Sequence, residues 1–229
     1  MRKEFIVAKK EIIEILQNKS SLLFTVGYSV FFSVMAALGV KKFPETIDTA
    51  VFYIPLVMGI FFAYVSTGRI FFREKRDKII ETLLCTPVSL RKLWFGKVLG
   101  SAIPSYAIAI FSAILIVLIS SILLKSIIFP SPILVLHLLV TTPLFVLAAV
   151  SLIGFLYLLA GMKEVRIAGT VIFMIIFGAL FGGLSLIGEG YRISSLIEIA
   201  LMMTSLLLVV LTGYLTRYLS KEKIVTTIT

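Results

Sequence analysis

Charged residues in this chain fall in blocks, separated by long apolar intervals. A helix needs about 20 apolar residues to cross ~30 Å of hydrocarbon. Six intervals approach or exceed that length: residues 22–40, 49–68, 98–124, roughly 133–161, 167–188 and 199–216. The uncharged stretch 126–162 is too short for two spans and a turn, so Pro130 and Pro132 mark a loop ahead of one long helix. Prolines within the spans, Pro55 and Pro104 among them, predict kinks, because neighbouring helices can satisfy the carbonyls that proline frees.

Two segments outside the spans have a pattern of their own. At ~100° per residue, Phe5, Ile6, Ala8, Ile12, Ile13, Ile15 and Leu16 share one half of a helical wheel. Lys3, Glu4, Lys10, Glu11, Glu14, Gln17 and Asn18 take the other half. Residues 1–21 therefore read as an interfacial amphipathic helix, either a plain membrane anchor or a lever gripped by a partner. Residues 69–97 are the longest hydrophilic stretch. A charge run, Arg73-Glu74-Lys75-Arg76-Asp77-Lys78, leads into an apolar stripe of Ile79, Ile80, Leu83 and Leu84. Pro87 ends that helix, and Ser89 stands where it can N-cap a second one in which Leu90, Leu93 and Trp94 share a face. Trp94 falls where an aromatic-belt residue belongs. The result is an elbow over residues 73–97 running into the third span, or else a solvated loop stapled to headgroups.

Composition agrees with a membrane protein. Hydrophobic residues make up 59% of the 229, charged residues 15%, and mean hydropathy is +1.10. That excludes disorder and leaves more apolar surface than a soluble domain of this size can hide. The formal net charge of +10 could point to nucleic acid, but its distribution gives a different reading. With the N-terminus inside, the inner segments hold Arg2, Lys3, Lys9, Lys10, Lys19, Arg69, Arg73, Lys75, Arg76, Lys78, Arg91, Lys92, Lys97, Lys163, Arg166, Arg217, Lys221 and Lys223; the outer ones hold Lys41, Lys42, Lys125 and Arg192. Such a bias predicts both termini in the cytoplasm of a multi-pass cell-membrane protein, with residues 217–229 as a cytoplasmic tail and no nucleic-acid partner. The mixed-sign lead and the length of the first apolar run argue against a secretory signal.

Catalytic and cofactor motifs are missing. Gly96-Lys97 is followed by Val98, so no P-loop is present. The single His137 excludes HExxH, and no span carries the paired carboxylates of an ion-coupled carrier. His137 and Glu198 read as packing or interface residues rather than ligands, and Cys85 as an inert small residue. Gly178 and Gly182, with Gly183, and likewise Gly96 and Gly100, are small residues four apart; they allow close helix packing within the chain or at an oligomer seam.

The run from Glu74 through Glu81-Thr82-Leu83-Leu84-Cys85-Thr86-Pro87-Val88-Ser89, followed by Gly96-Lys97, resembles the signature of permease subunits of type 2 ATP-binding-cassette (ABC) exporters. Ile79-Ile80 stand where that family often has Gly-Thr. The layout is similar too: an interfacial N-terminal helix, six spans, inner termini and a long connection between spans two and three. The resemblance implies an all-α integral membrane protein whose six-span domain, residues 22–216, carries the substrate pathway. It implies pairing with a second copy of the chain and with a separate cytoplasmic ATPase that holds ATP and Mg. This chain itself would have no cofactor, metal or catalytic residue. Coupling to the ATPase would fall to Glu81, Leu83, Leu84, Thr86, Pro87 and Ser89. Pro55, Gly59, Gly178, Gly182 and Gly183 would line the path or pack it, alongside hydroxyls such as Ser66, Thr67, Ser105 and Ser112. Residues 184–195 would form a re-entrant outer gate. The alternative is a non-transporting membrane scaffold or assembly factor that binds a soluble partner through the same elbow.

Overall fold

A computed structural model describes residues 3–77, 79, 89–127, 131–190 and 195–218. All regular structure among these residues is helical. Of the expected coupling residues, Glu81, Leu83, Leu84, Thr86 and Pro87 lie outside the described residues, as does Cys85; Ser89 lies within them.

Helix α1 spans Lys3–Gln17. Asn18 separates it from α2, Lys19–Lys42, and caps α2 by accepting a hydrogen bond from the Ser21 backbone N–H at 3.1 Å. Phe43 and a single 3-10 turn, Pro44–Thr46, lead into α3, Ile47–Thr67. The α3 helix continues through a π turn, Gly68–Arg73, into Glu74–Arg76. Helix α4 is one rod, Leu90–Leu124, closed by Lys125 in the left-handed region at φ 53°. Helix α5, Pro132–Leu159, starts at the proline and widens into a π turn at His137–Thr141. Pro143 lies two residues past this turn, has no N–H and crowds the carbonyl one turn earlier, and the wider turn accommodates it. Helices α6, Met162–Gly188, and α7, Ser195–Leu215, complete the chain. Of the expected proline distortions, this one takes the form of a π turn, while α3 and α4 stay helical through Pro55 and Pro104.

Five helical stretches are long and apolar enough to cross a membrane: Lys19–Lys42, Pro44–Arg76, Leu90–Leu124, Pro132–Leu159 and Lys163–Gly188. The apolar part of α7, Ile199–Leu215, is shorter. The chain is an all-α protein of multi-pass membrane character. Helix α6 stays helical to Gly188 and closes on Gly190 at φ +81°, so residues 184–188 of the expected outer gate are the end of a long helix, and residues 191–194 lie outside the described residues.

Helix α3 is the hub. It packs against α2, α4, α5 and α6, and α7 lies on α5. In lipid, apolar burial gives helices little reason to associate, so close packing and interhelical hydrogen bonds must do it. Small residues supply both here. Ser33 on α2 donates to the Ser112 carbonyl at 3.4 Å. Ser66 Oγ lies 2.5 Å from Ser101 Oγ, and Thr67 Oγ1 lies 3.2 Å from the same atom. Thus Ser66, Thr67, Ser105 and Ser112 are buried between helices, where they join α3 and α2 to α4 and do not face an open pathway. Gly59 has the same role: a Cβ there would come within 2.8 Å of Val146 and 3.1 Å of Ala109. Pro55 is buried as well.

Candidate coupling junction

One end of the bundle is formed by α1, the last turns of α3 and α5, and the first turns of α4 and α6. We call it the basic end, because Arg69, Arg73, Arg76, Arg91, Lys92 and Arg166 gather there. Its construction begins with glycine. Helix α1 lies across α4 at Gly96 and Gly100. A Cβ on Gly96 would stand 2.7 Å from Val7 Cβ and 2.8 Å from the Glu4 carbonyl, and one on Gly100 would stand 2.6 Å from Glu11 Cβ. Of the two expected roles for this glycine pair, the structure shows packing within the chain.

That close approach brings Lys97 under α1. Its Nζ donates to Glu11 Oε1 at 3.1 Å and to Glu74 Oε2 at 2.5 Å, and it lies 5.8 Å from the Phe71 ring centre. All three charged side chains are buried: Lys97 and Glu11 at 2% exposure and Glu74 at 8%. Burying ions costs several kcal/mol each unless geometry and partners compensate. Here one ammonium faces two carboxylates, and Lys10 supplies a second positive charge from the rim, 3.6 Å from Glu11 and 3.8 Å from Glu74. The cluster ties together α1, the end of α3 and the start of α4.

Lys75, next in sequence to Glu74, is fully buried and serves α5. Its Nζ donates to the carbonyls of Tyr157 at 3.3 Å, Leu158 at 3.2 Å and Ala160 at 2.6 Å. A helix leaves its last carbonyls without intrahelical donors and carries partial negative charge there, and an ammonium answers both. Of the rest of the charge run, Arg73, Arg76 and Asp77 face outward, Arg76 and Arg73 pairing with Asp77 at 2.9 and 3.6 Å, and Lys78 lies outside the described residues. The Arg76 hydrogen bond holds the Asp77 carboxyl below its ordinary range.

Several expectations are thereby revised. Glu11 and Glu74, assigned to solvated faces, are buried. The apolar half of the α1 wheel divides: Ala8 and Ile15 pack inward, while Phe5, Ile6, Ile13 and Leu16 are exposed. Trp94 is buried in the core with Phe71, Val98 and Tyr157 and does not sit in a belt. Ser89 occupies the N-cap position of α4 with extended backbone, but its hydroxyl makes no capping bond; its carbonyl accepts from Leu93 N–H at 3.1 Å. The continuity of the second arm with the third span is seen directly, since α4 is one helix.

The expected pathway glycines diverge. A Cβ on Gly183 would run into the Tyr53 ring, whereas Gly178 and Gly182 face open space. His137 is buried and stacks on Phe52 with 4.1 Å between ring centres. Among the described residues no group of three or more His, Cys, Asp or Glu could hold a metal ion. No family model, curated protein or solved structure matches this chain.

Proposed function

We propose that this chain is the permease subunit of a type 2 ABC exporter: six spans with both termini cytoplasmic, working as a pair of copies driven by a separate ATPase. The support is the Lys97–Glu11–Glu74 cluster. Residues 78–88 connect Glu74 to α4, and the Glu74–Lys97 ion pair pins together the two arms of that connection at its base. Helix α1 braces the same point, and Lys75 ties it to α5. A push on the segment by an ATPase would then be delivered to α1, α3, α4 and α5 together. The chain carries no P-loop, as suits a subunit whose energy source is another polypeptide.

The test co-expresses the chain with a candidate P-loop ATPase from the same organism and compares Glu81→Ala and Leu84→Asp with the surface control Glu14→Ala. Loss of ATPase capture or of substrate-stimulated turnover in the first two alone supports the reading. Capture without any ATP-driven transport, in wild type as well as variants, would favour the scaffold alternative. Wild-type behaviour of both variants would remove the elbow from any coupling role.

A further inference from the structure

On the flank of the basic end, α3 and α6 part beside Tyr157 of α5 to leave a crevice of about 500 Å³. Arg69, Arg76 and Arg166 line it, with Tyr64, Thr170 and Phe72 among the other residues facing in, and no carboxylate is among its lining residues. Arg76 is paired with Asp77. Arg69 and Arg166 have no ion-pair partner within 4.0 Å among the described residues; Glu14 shares a second, smaller groove with Arg69 and acts on its charge from beyond that distance. At the floor, the hydroxyls of Tyr64 and Tyr157 converge on Gly169, 3.4 and 3.5 Å from where a Cβ would stand.

An aromatic track leaves this crevice along α6. Tyr64 meets Phe173 at 6.2 Å, Phe173 meets Phe177 at 4.5 Å and Phe177 meets Phe181 at 6.2 Å between ring centres. Phe177 and Phe181 then line a second groove, of about 550 Å³, against Phe24, Tyr28 and Phe31 of α2. A line of ring contacts thus joins a cationic crevice at the basic end to an aromatic groove further along α6.

We propose that this surface binds an anionic amphiphile, with its phosphate or carboxylate headgroup between Arg69 and Arg166 and its apolar chain along Phe173 and Phe177. Guanidinium groups suit such oxyanions because their paired N–H donors match the oxygen geometry. A free inorganic anion would satisfy the arginines and leave the aromatic track unused. The binding assignment stands on the crevice itself; taking the bound amphiphile as cargo at the mouth of the pathway rests on the permease reading.

Binding is measured by calorimetry on the purified chain without ATPase, in a non-ionic maltoside detergent, so that it can fail or succeed independently of the permease reading. The probes are dihexanoylphosphatidic acid, dihexanoylphosphatidylcholine and inorganic phosphate. Phosphatidic acid should bind at least about tenfold more tightly than either of the others, tenfold being ~1.4 kcal/mol. Arg69→Gln/Arg166→Gln should erase that preference. Gly169→Leu, which fills the floor and leaves every charge in place, should do the same, and Lys9→Gln/Arg91→Gln should not. Equal binding of inorganic phosphate and phosphatidic acid would overturn the proposal. So would an unaffected Gly169→Leu variant, or a loss as large in Lys9→Gln/Arg91→Gln, which would reduce the effect to general surface charge.

Discussion

Gly100 and Gly182 are both glycines on long apolar helices, each four residues from a partner glycine, yet their surroundings differ completely. Gly100 is pressed against Glu11 and the Ala8 carbonyl of α1, while Gly182 faces open space. The contrast extends to the regions that hold them. The basic end is held by buried ions and by a lysine capping α5, beneath which lies a layer of hydroxyl contacts. The outer face of α6 presents Ile167, Val171, Met174, Ile175 and Phe181 to the surroundings. Buried, directional contacts of the first kind fix relative helix positions, whereas an apolar face packed by lipid is free to change neighbours. On the permease reading proposed above, the basic end would move as one piece and the α6 face would rearrange or meet another copy.

The largest expected effect comes from breaking the ion cluster on one side only. Lys97→Met leaves Glu11 and Glu74 buried without compensation and should cost ~3–5 kcal/mol, read as a large drop in thermal unfolding temperature in detergent. Replacing all three, Lys97→Met/Glu11→Leu/Glu74→Met, should recover most of that loss, because matched apolar groups need no desolvation. A triple variant as unstable as the single one would show that the cluster is not an ion-pair unit.

Lys75→Met should rank next. It leaves the Tyr157, Leu158 and Ala160 carbonyls without their donor, a loss of ~1.5–3 kcal/mol for a hydrogen-bonded charge. Amide exchange should rise at the end of α5 and not at α1; a rise confined to α1 would contradict the assignment of Lys75 to α5.

The glycine pair sharpens the contrast most cleanly, because the chemical change is identical. Gly100→Ala forces a methyl group onto α1 and should cost ~1–3 kcal/mol by overpacking, with α1 becoming protease-sensitive. Gly182→Ala meets no neighbour in the chain and should be neutral or gain up to ~1 kcal/mol from helix propensity. If Gly182→Ala instead lowers stability in a concentration-dependent way, a second copy covers that face.

The helices were legible in the sequence because a charge-free interval of membrane length has few alternatives: α2, α5 and α6 follow those intervals within about five residues, while α4 starts eight residues early at Leu90 and the α3 stretch runs eight residues past Gly68 to Arg76. The charge run was harder. Ser66, Thr67, Ile70, Phe71, Glu74 and Lys75 share one face at helical spacing, and all six are buried. Ending the second span at Gly68 hid that continuity, and treating Arg73–Lys78 as a block of charge concealed that two of its members turn inward. Glu11 was misplaced for a related reason. A wheel sorts residues by polarity, but a carboxylate facing a buried lysine belongs to the inner face. Lys97, flanked by two glycines that admit a helix backbone, was the signal that could have located it. The hydroxyls of α3 and α4 were mistaken for lining because their partners, chiefly one another, lie more than thirty positions apart along the chain, a separation that periodicity does not reveal.

The central claim is that the basic end carries force from a partner ATPase into the bundle as one unit. It is tested most directly by measuring ATP hydrolysis and transport together in the reconstituted complex, comparing wild type with Lys97→Met/Glu11→Leu/Glu74→Met. This variant leaves residues 81–89 intact and should still capture the ATPase. With the brace removed, hydrolysis should persist while transport per ATP falls severalfold. Transport per ATP equal to wild type, in a complex of unchanged composition, would contradict the account.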